Sequence, residues 1–175
     1  AHLCRQAGRR VAVAGNISPA ALDALRETTV SGELPEVWVL ELSSFQLALT
    51  QNLAADAAAI LNVSQDHLDW HGSMETNADA KRRIYRGAGV CVHNRDDPAT
   101  QPRTGARARS FGRSLPSAAG DCGIVHDSGL RWLAEVIVVD EPPAGRRRRE
   151  PVELAVRRLM PADALRIRGA HNQMN

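Results

Sequence analysis

Four short apolar runs constrain this chain more than anything else in it: Val11–Ala14, Val37–Leu42, Ala57–Val63 and Gly89–His93. They are continuous rather than alternating, as expected of parallel strands covered on both faces. Helical patterns lie between them. Pro19–Arg26 carries Ala20, Ala21, Ala24 and Leu25 on one side, Ser44–Leu53 is helix-like, and Ser73–Arg86 has Ser73 as N-cap and Gly87 as a stop. The β-α-β-α-β-α-β alternation predicts an α/β fold with a mainly parallel, doubly wound sheet. After Asp96-Asp97-Pro98 the texture changes. Arg107–Gly112, Gly123–Asp127, Leu130–Val139 and Pro151–Leu159 read as short strands split by Gly, Pro, Asp and Ser, with Asp127-Ser128-Gly129 as a tight turn. This half is expected to form a small antiparallel β appendage.

A chain of 175 residues fits one domain and can bury a sizeable core. With 43% hydrophobic and 24% charged residues it has the composition of a globular protein. A net charge of +2 is too small to argue for nucleic acid. Much of the basic excess is the run Arg146–Arg149, beside Pro142-Pro143 and Gly145 within the low-complexity stretch Asp140–Glu150. It reads as a solvated loop, with a phosphate-binding patch as the alternative. Cys4, Cys91 and Cys122 form no CxxC, which fits a reduced cytosolic protein. No apolar run is long enough to span a bilayer. The chain starts without Met, in what reads as the tail of a helix over Ala1–Ala7 stopped at Gly8. It ends in what looks like the start of an element, so a fragment of a longer protein is expected.

Ligands of an open parallel sheet bind beyond the carboxyl ends of its strands. Here the first run ends in Gly15-Asn16-Ile17-Ser18, the second in Glu41-Leu42-Ser43-Ser44-Phe45-Gln46, and the third in Asn62-Val63-Ser64-Gln65-Asp66-His67-Leu68-Asp69-Trp70-His71. Such a fold would gather Asn16, Glu41, Ser43, Gln46, His67 and Lys81 around one crevice. Each has an ordinary explanation: Asn16 as a turn residue, Ser43 as an N-cap, Glu41 as a first-turn acid. A carboxylate with hydroxyls at a strand end suits Mg²⁺, which prefers oxygen ligands and shares them with phosphates. His67 and His71 are spaced for a zinc pair, but the HExxH form is absent and no third ligand stands at an obvious spacing. No GxxxxGK[ST] phosphate loop occurs in the chain.

Lys81 is the only lysine among 22 basic residues. An amine can lose its proton and act as a nucleophile; a guanidinium does neither. Met74, Ala78, Lys81 and Tyr85 follow the stripe of one helix face, which puts Lys81 on the semi-apolar side. The plainer reading is a stem packed on that stripe with its ammonium in water.

Gly15-Asn16-Ile17, Glu41-Leu42-Ser43-Ser44-Phe45-Gln46-Leu47, Leu61-Asn62 with Asp66-His67-Leu68-Asp69-Trp70-His71, Ala80-Lys81, Asn94-Arg95-Asp96-Asp97 and Gly169-Ala170-His171-Asn172 with Asn175 stand in one order along the chain. In that order they resemble the central domain of the Mur ligase family over almost the whole chain. Phe45-Gln46 resembles the D-glutamate-adding members; the relatives that add the third residue look like E-V-S-S-H there, and the folate-glutamylating relatives lack the E-L-S-S-F-Q run. Ser18 departs from a usual Gly, and Asn77 from a common aromatic.

The resemblance implies residues 1–167 as a P-loop-type ATP-binding central domain, incomplete at its N-terminus and lacking the P-loop itself. Residues 168–175 would begin a C-terminal domain. It implies an ATP-dependent ligase of bacterial cytoplasm that joins D-glutamate to UDP-N-acetylmuramoyl-L-alanine through an acyl phosphate, in peptidoglycan precursor synthesis. The complete protein is expected to be a monomer, without nucleic-acid or membrane partners. By the resemblance Glu41 holds one Mg²⁺, His67 a second, and Lys81 is carbamylated to serve that second metal. Asn16, Ser43 and Gln46 match positions lining the phosphate and substrate side, and Asn172 and Asn175 match the adenine contact. The chain alone is expected to be inactive. Two other classes stay open: a non-catalytic α/β fragment, and a metal-dependent hydrolase resting on His67, Asp69 and His71.

Overall fold

Val11–Gly15 and Val37–Glu41 are the first two apolar runs, and both are strands (β1 and β2). They pair in parallel, from Val11 opposite Val37 to Gly15 opposite Glu41. The computed structural model describes residues 1–103, 107–139 and 153–165. Its chain divides into two compact units, Ala1–Thr50 and Gln51–Asn175.

The first unit adds three helices to this pair: α1 (His2–Gln6), α2 (Ala21–Ser31) and α3 (Ser44–Leu49). Helix α2 runs five residues beyond the sequence reading because its hydroxyl residues bond backward along it. Thr28 Oγ1 donates to Ala24 O at 2.9 Å and Thr29 Oγ1 to Leu25 O at 2.7 Å. Side chains that usually compete with a helix thus stay inside this one until Gly32 ends it in the left-handed region. Helix α3 stops earlier than expected, at an extended Thr50.

The second unit holds β3 (Ala57–Ile60), α4 (Leu68–His71), α5 (Met74–Arg82), β4 (Val90–Asn94), β5 (Ala108–Phe111), β6 (Cys122–Asp127), β7 (Leu130–Val138) and β8 (Leu154–Pro161). The six strands form one sheet in sequential order. Strands β3 to β6 run parallel and β6 to β8 antiparallel. Its core is Ala58, Ile60, Tyr85 and Cys91, with Val63, Ile84 and Ala88 packed against it. The β6–β7 hairpin turns where expected, with Ser128 and Gly129 both at positive φ, the conformation a two-residue hairpin loop requires.

Two features differ from the sequence reading. The four runs were expected in one sheet, yet β1–β2 and β3–β8 are separate sheets among the described residues. Continuous apolar runs mark strands, not which edges meet. The segment Arg107–Gly112 was expected in the antiparallel appendage, but β5 lies parallel to β4. The connection before it is about a dozen residues, long enough for a crossover that returns the chain to the same end. Asp140–Glu150, with its Arg146–Arg149 run, and the expected second domain at 168–175 lie outside the described residues.

Candidate functional site

At the end of β2 the chain must turn directly into α3, and the sequence supplies the means. Ser43 accepts a hydrogen bond from Gln46 N at 3.2 Å, while Gln46 Oε1 accepts from Ser43 N at 2.9 Å. This reciprocal capping box satisfies two orphan helix donors. It leaves the Glu41 carboxylate exposed at the strand end. Asn16 is brought beside it: Asn16 N donates to Glu41 O at 2.6 Å. That approach needs the glycine before it. A Cβ at Gly15 would lie 2.1 Å from Glu41 O, and φ there is +126°. The first unit therefore brings Asn16, Glu41, Ser43 and Gln46 to one end of its strand pair.

The end of β3 is built differently. Asn94 Nδ2 donates to Leu61 O at 3.0 Å, and Val63 N donates to Asp97 Oδ2 at 2.7 Å. Farther on, Asn77 Nδ2 donates to Asp66 O at 3.1 Å. His67 follows in the left-handed region, φ 54° and ψ 37°, as N-cap of α4. Its imidazole is half exposed, with Nε2 3.3 Å from an Asp66 carboxylate oxygen. His71, at the other end of that short helix, is buried and edge-on to Trp70. Helix α4 was not expected from the sequence, since four residues show no period.

Lys81 lies in the last turn of α5, half-buried. The predicted stripe is real at Ala78 and Tyr85, both buried, while Met74 is exposed. Burial pushes the Tyr85 hydroxyl well up and keeps it protonated. Val92 O at 2.8 Å and Thr100 O at 3.0 Å both lie within its reach as acceptors. Thr100, itself fully buried, accepts from Asn94 N at 3.0 Å. Tyr85 thus anchors the segment 92–100 from which Asn94 and Asp97 reach the β3 end. Arg95 pins the next strands, donating to Ser110 Oγ, Cys122 O and Ser114 O.

Among the described residues, no group of three or more His, Cys, Asp and Glu gathers to hold a metal ion. The donors at the two strand ends are instead single exposed groups, Glu41 in one unit and His67, beside Asp66, in the other. An exposed carboxylate at a strand end fits Mg²⁺, which keeps waters and takes phosphate oxygens as further ligands.

A model of the Mur ligase middle domain matches residues 1–121. This chain belongs to the Mur ligase family. It is 50% identical over 188 residues to the UDP-N-acetylmuramoylalanine--D-glutamate ligase of Burkholderia pseudomallei strain 668, covering 99% of this chain and 37% of that ligase. It is 51% identical over 187 residues to the ligase of the same name from Burkholderia multivorans, and 50% identical over 188 residues to that of Burkholderia mallei strain SAVP1, with the same coverage. The chain thus spans little more than a third of the length of the curated relatives it matches.

Within this Mur ligase chain, the sequence singles out Asn16, Glu41, Ser43, Gln46, His67 and Lys81 as expected site residues but not the residues that hold the backbone at His67. Asn77 stood out only as a departure, and Asn94 and Asp97 only as part of a motif. The readable signal was Asp97-Pro98, a capping acid before a proline: Asp97 Oδ1 accepts from Ala99 N at 3.0 Å. Asn172 and Asn175 lie outside the described residues.

Proposed function

We propose that the complete protein to which this chain belongs is an ATP-dependent ligase of the bacterial cytoplasm. It would join D-glutamate to UDP-N-acetylmuramoyl-L-alanine. The observation that carries this reading is the extended likeness to ligases of that name, together with the Glu41-to-Gln46 strand end.

In the proposed reaction ATP supplies its γ-phosphoryl group to the terminal carboxylate of the acceptor, leaving ADP and an acyl phosphate. The D-glutamate amine attacks the carbonyl carbon and gives up a proton. The carbon–oxygen bond to phosphate breaks and the new amide remains. Glu41 and His67 are each proposed to ligate a Mg²⁺, which when bound would neutralise phosphoryl charge. The exposed carboxylate and the half-exposed imidazole leave room for phosphate and water at either ion. Ser43 and Gln46 orient each other through the capping box and line the substrate side with Asn16. Asn172 and Asn175 are proposed to meet adenine.

Lys81 is proposed to act as a carbamate. Its ammonium forms no ion pair with any described residue, so no described carboxylate neutralises or blocks the amine, and only an amine can take up CO₂. In the complete ligase, Lys81→Arg should be nearly inactive although it keeps the charge. Lys81→Ala should be equally poor and regain part of its rate when a short carboxylic acid is added. Normal turnover with Arg, or no rescue of Ala, refutes the carbamate. D-Glutamate-dependent ADP release by the complete protein tests the reaction itself, and its absence refutes the ligase reading. The chain of residues 1–175 alone should show none, because it contains no GxxxxGK[ST] loop to hold the β- and γ-phosphates.

A further inference from the structure

Asn77 is among the most completely buried side chains of the described residues, 1% exposed in the middle of α5. It is a polar residue whose acceptor oxygen goes unused. Its Nδ2 donates to Asp66 O, yet its buried Oδ1 has no hydrogen-bond partner among the described residues. An apolar side chain of the same size would fill the space without stranding an acceptor. Core packing therefore does not account for the amide; the single bond to Asp66 O does.

That bond acts at a sensitive place. The carbonyl of Asp66 belongs to the peptide plane that leads into His67. With the plane held, the positive φ of His67 decides where its Cβ, and so its imidazole, points. Left-handed backbone is unfavourable for a residue with a side chain, and a free peptide would rotate to relieve it. The other side of His67 is already fixed, since its carbonyl accepts from Trp70 N at 3.1 Å and His71 N at 3.0 Å. Upstream, Asn94 and Asp97 tie down Leu61 and Val63. Between Val63 and His67, the Asn77 amide holds the backbone from outside the turn, through Asp66 O.

We propose that Asn77 is a positioning residue, whose amide fixes the Asp66–His67 peptide so that the His67 imidazole is presented for a divalent cation. This rests on the reading of His67 as a cation ligand. Partners that orient a metal-binding histidine typically change metal affinity or activity about 10–100-fold when removed.

The test uses the complete ligase with Asn77→Leu, which removes donor and acceptor, and Asn77→Asp, which keeps the size but not the donor. Mn²⁺ binding is read by electron paramagnetic resonance with a non-hydrolysable ATP analogue present. Folding is read by circular dichroism, and kcat and KM by ADP release. The proposal expects Mn²⁺ affinity and kcat to fall about 10–100-fold. The KM for D-glutamate and the fold should stay unchanged. A folded variant whose Mn²⁺ affinity and kcat both stay within about twofold of the parent overturns it. If neither variant folds, Asn77 is a core residue only and the proposal is likewise overturned. A His67→Ala control separates the two layers. If His67→Ala leaves Mn²⁺ binding intact, the ligand reading falls and this proposal with it. If His67→Ala loses binding while both Asn77 variants keep it, only this proposal falls.

Discussion

The two strand ends that carry the candidate residues are made by opposite means. At the end of β2 everything is local: Ser43 and Gln46, three residues apart, cap α3 and leave Glu41 exposed. At the end of β3 the chain is held from a distance. Asp97 reaches back 34 residues to Val63, Asn94 33 to Leu61, and Asn77 11 to Asp66. A local device forms wherever its short segment forms. A distant one exists only after the sheet and α5 have assembled, but it can hold a conformation the segment would not adopt alone, such as the left-handed His67.

The sharpest probe of the comparison is to remove the presented groups. Glu41→Ala and His67→Ala in the complete ligase should each lower turnover by about 10²–10³, the usual loss for a charge-stabilising group. Circular dichroism should be unchanged, since neither side chain is buried. Near-normal rates would show that the two ends present nothing the reaction uses.

Gly15→Ala should break the β2 end by force. Its Cβ meets the Glu41 carbonyl, and φ is left-handed. A loss of at least about 2 kcal/mol is expected. It should appear as faster hydrogen exchange across Val11–Gly15 and Val37–Glu41. Unchanged protection would mean that the close approach is relieved without harm.

Asp97→Ala isolates the distant device. It removes bonds to Val63 N and Ala99 N, and charged acceptors of this kind contribute about 1.5–3 kcal/mol. Exchange at Val63 and Ala99 should rise while Gln46 stays protected. Ser43→Ala is the local counterpart, expected at about 1 kcal/mol, with exchange rising at Gln46 and not at Val63. If each substitution loosened both ends equally, the contrast between local and distant control would be lost.

The smallest effect concerns Glu36, at the other end of the β1–β2 pair. Its carboxylate accepts from Arg10 N at 3.0 Å, the chief cause of a pKa below the usual carboxylate value, with Arg9 and Arg10 adding their charge. A depressed folded pKa means stability present above the ordinary value and lost as pH falls through the lower one. Glu36→Gln should therefore flatten the acid limb of an exchange series at Val37, below the ordinary carboxylate range. An identical acid limb would remove Glu36 from the account.

Residue chemistry made much of this legible beforehand. The runs at Val11, Val37, Ala57 and Gly89 became strands, as short apolar runs bounded by turn residues suggest, although β3 alternates exposed Ala57 and Ala59 with buried Ala58 and Ile60. The caps at Ser43 and Ser73 formed because a hydroxyl finds its helix N–H within three residues. The His67 turn was legible as a motif but not as a conformation.

What the sequence determined by itself, then, is whatever a few neighbouring residues can settle: which segments are strands and, α4 aside, which are helices, where α3 and α5 begin, and which polar residues follow strand ends. Tertiary structure alone decided that β5 runs parallel to β4, that β1–β2 and β3–β8 form separate sheets among the described residues, and that Asn77, Asn94 and Asp97 converge on the turn before His67. The reason is physical. Strand direction and long-range hydrogen bonds depend on which surfaces are adjacent after collapse, and a polar side chain carries no mark of the distant backbone group it will meet.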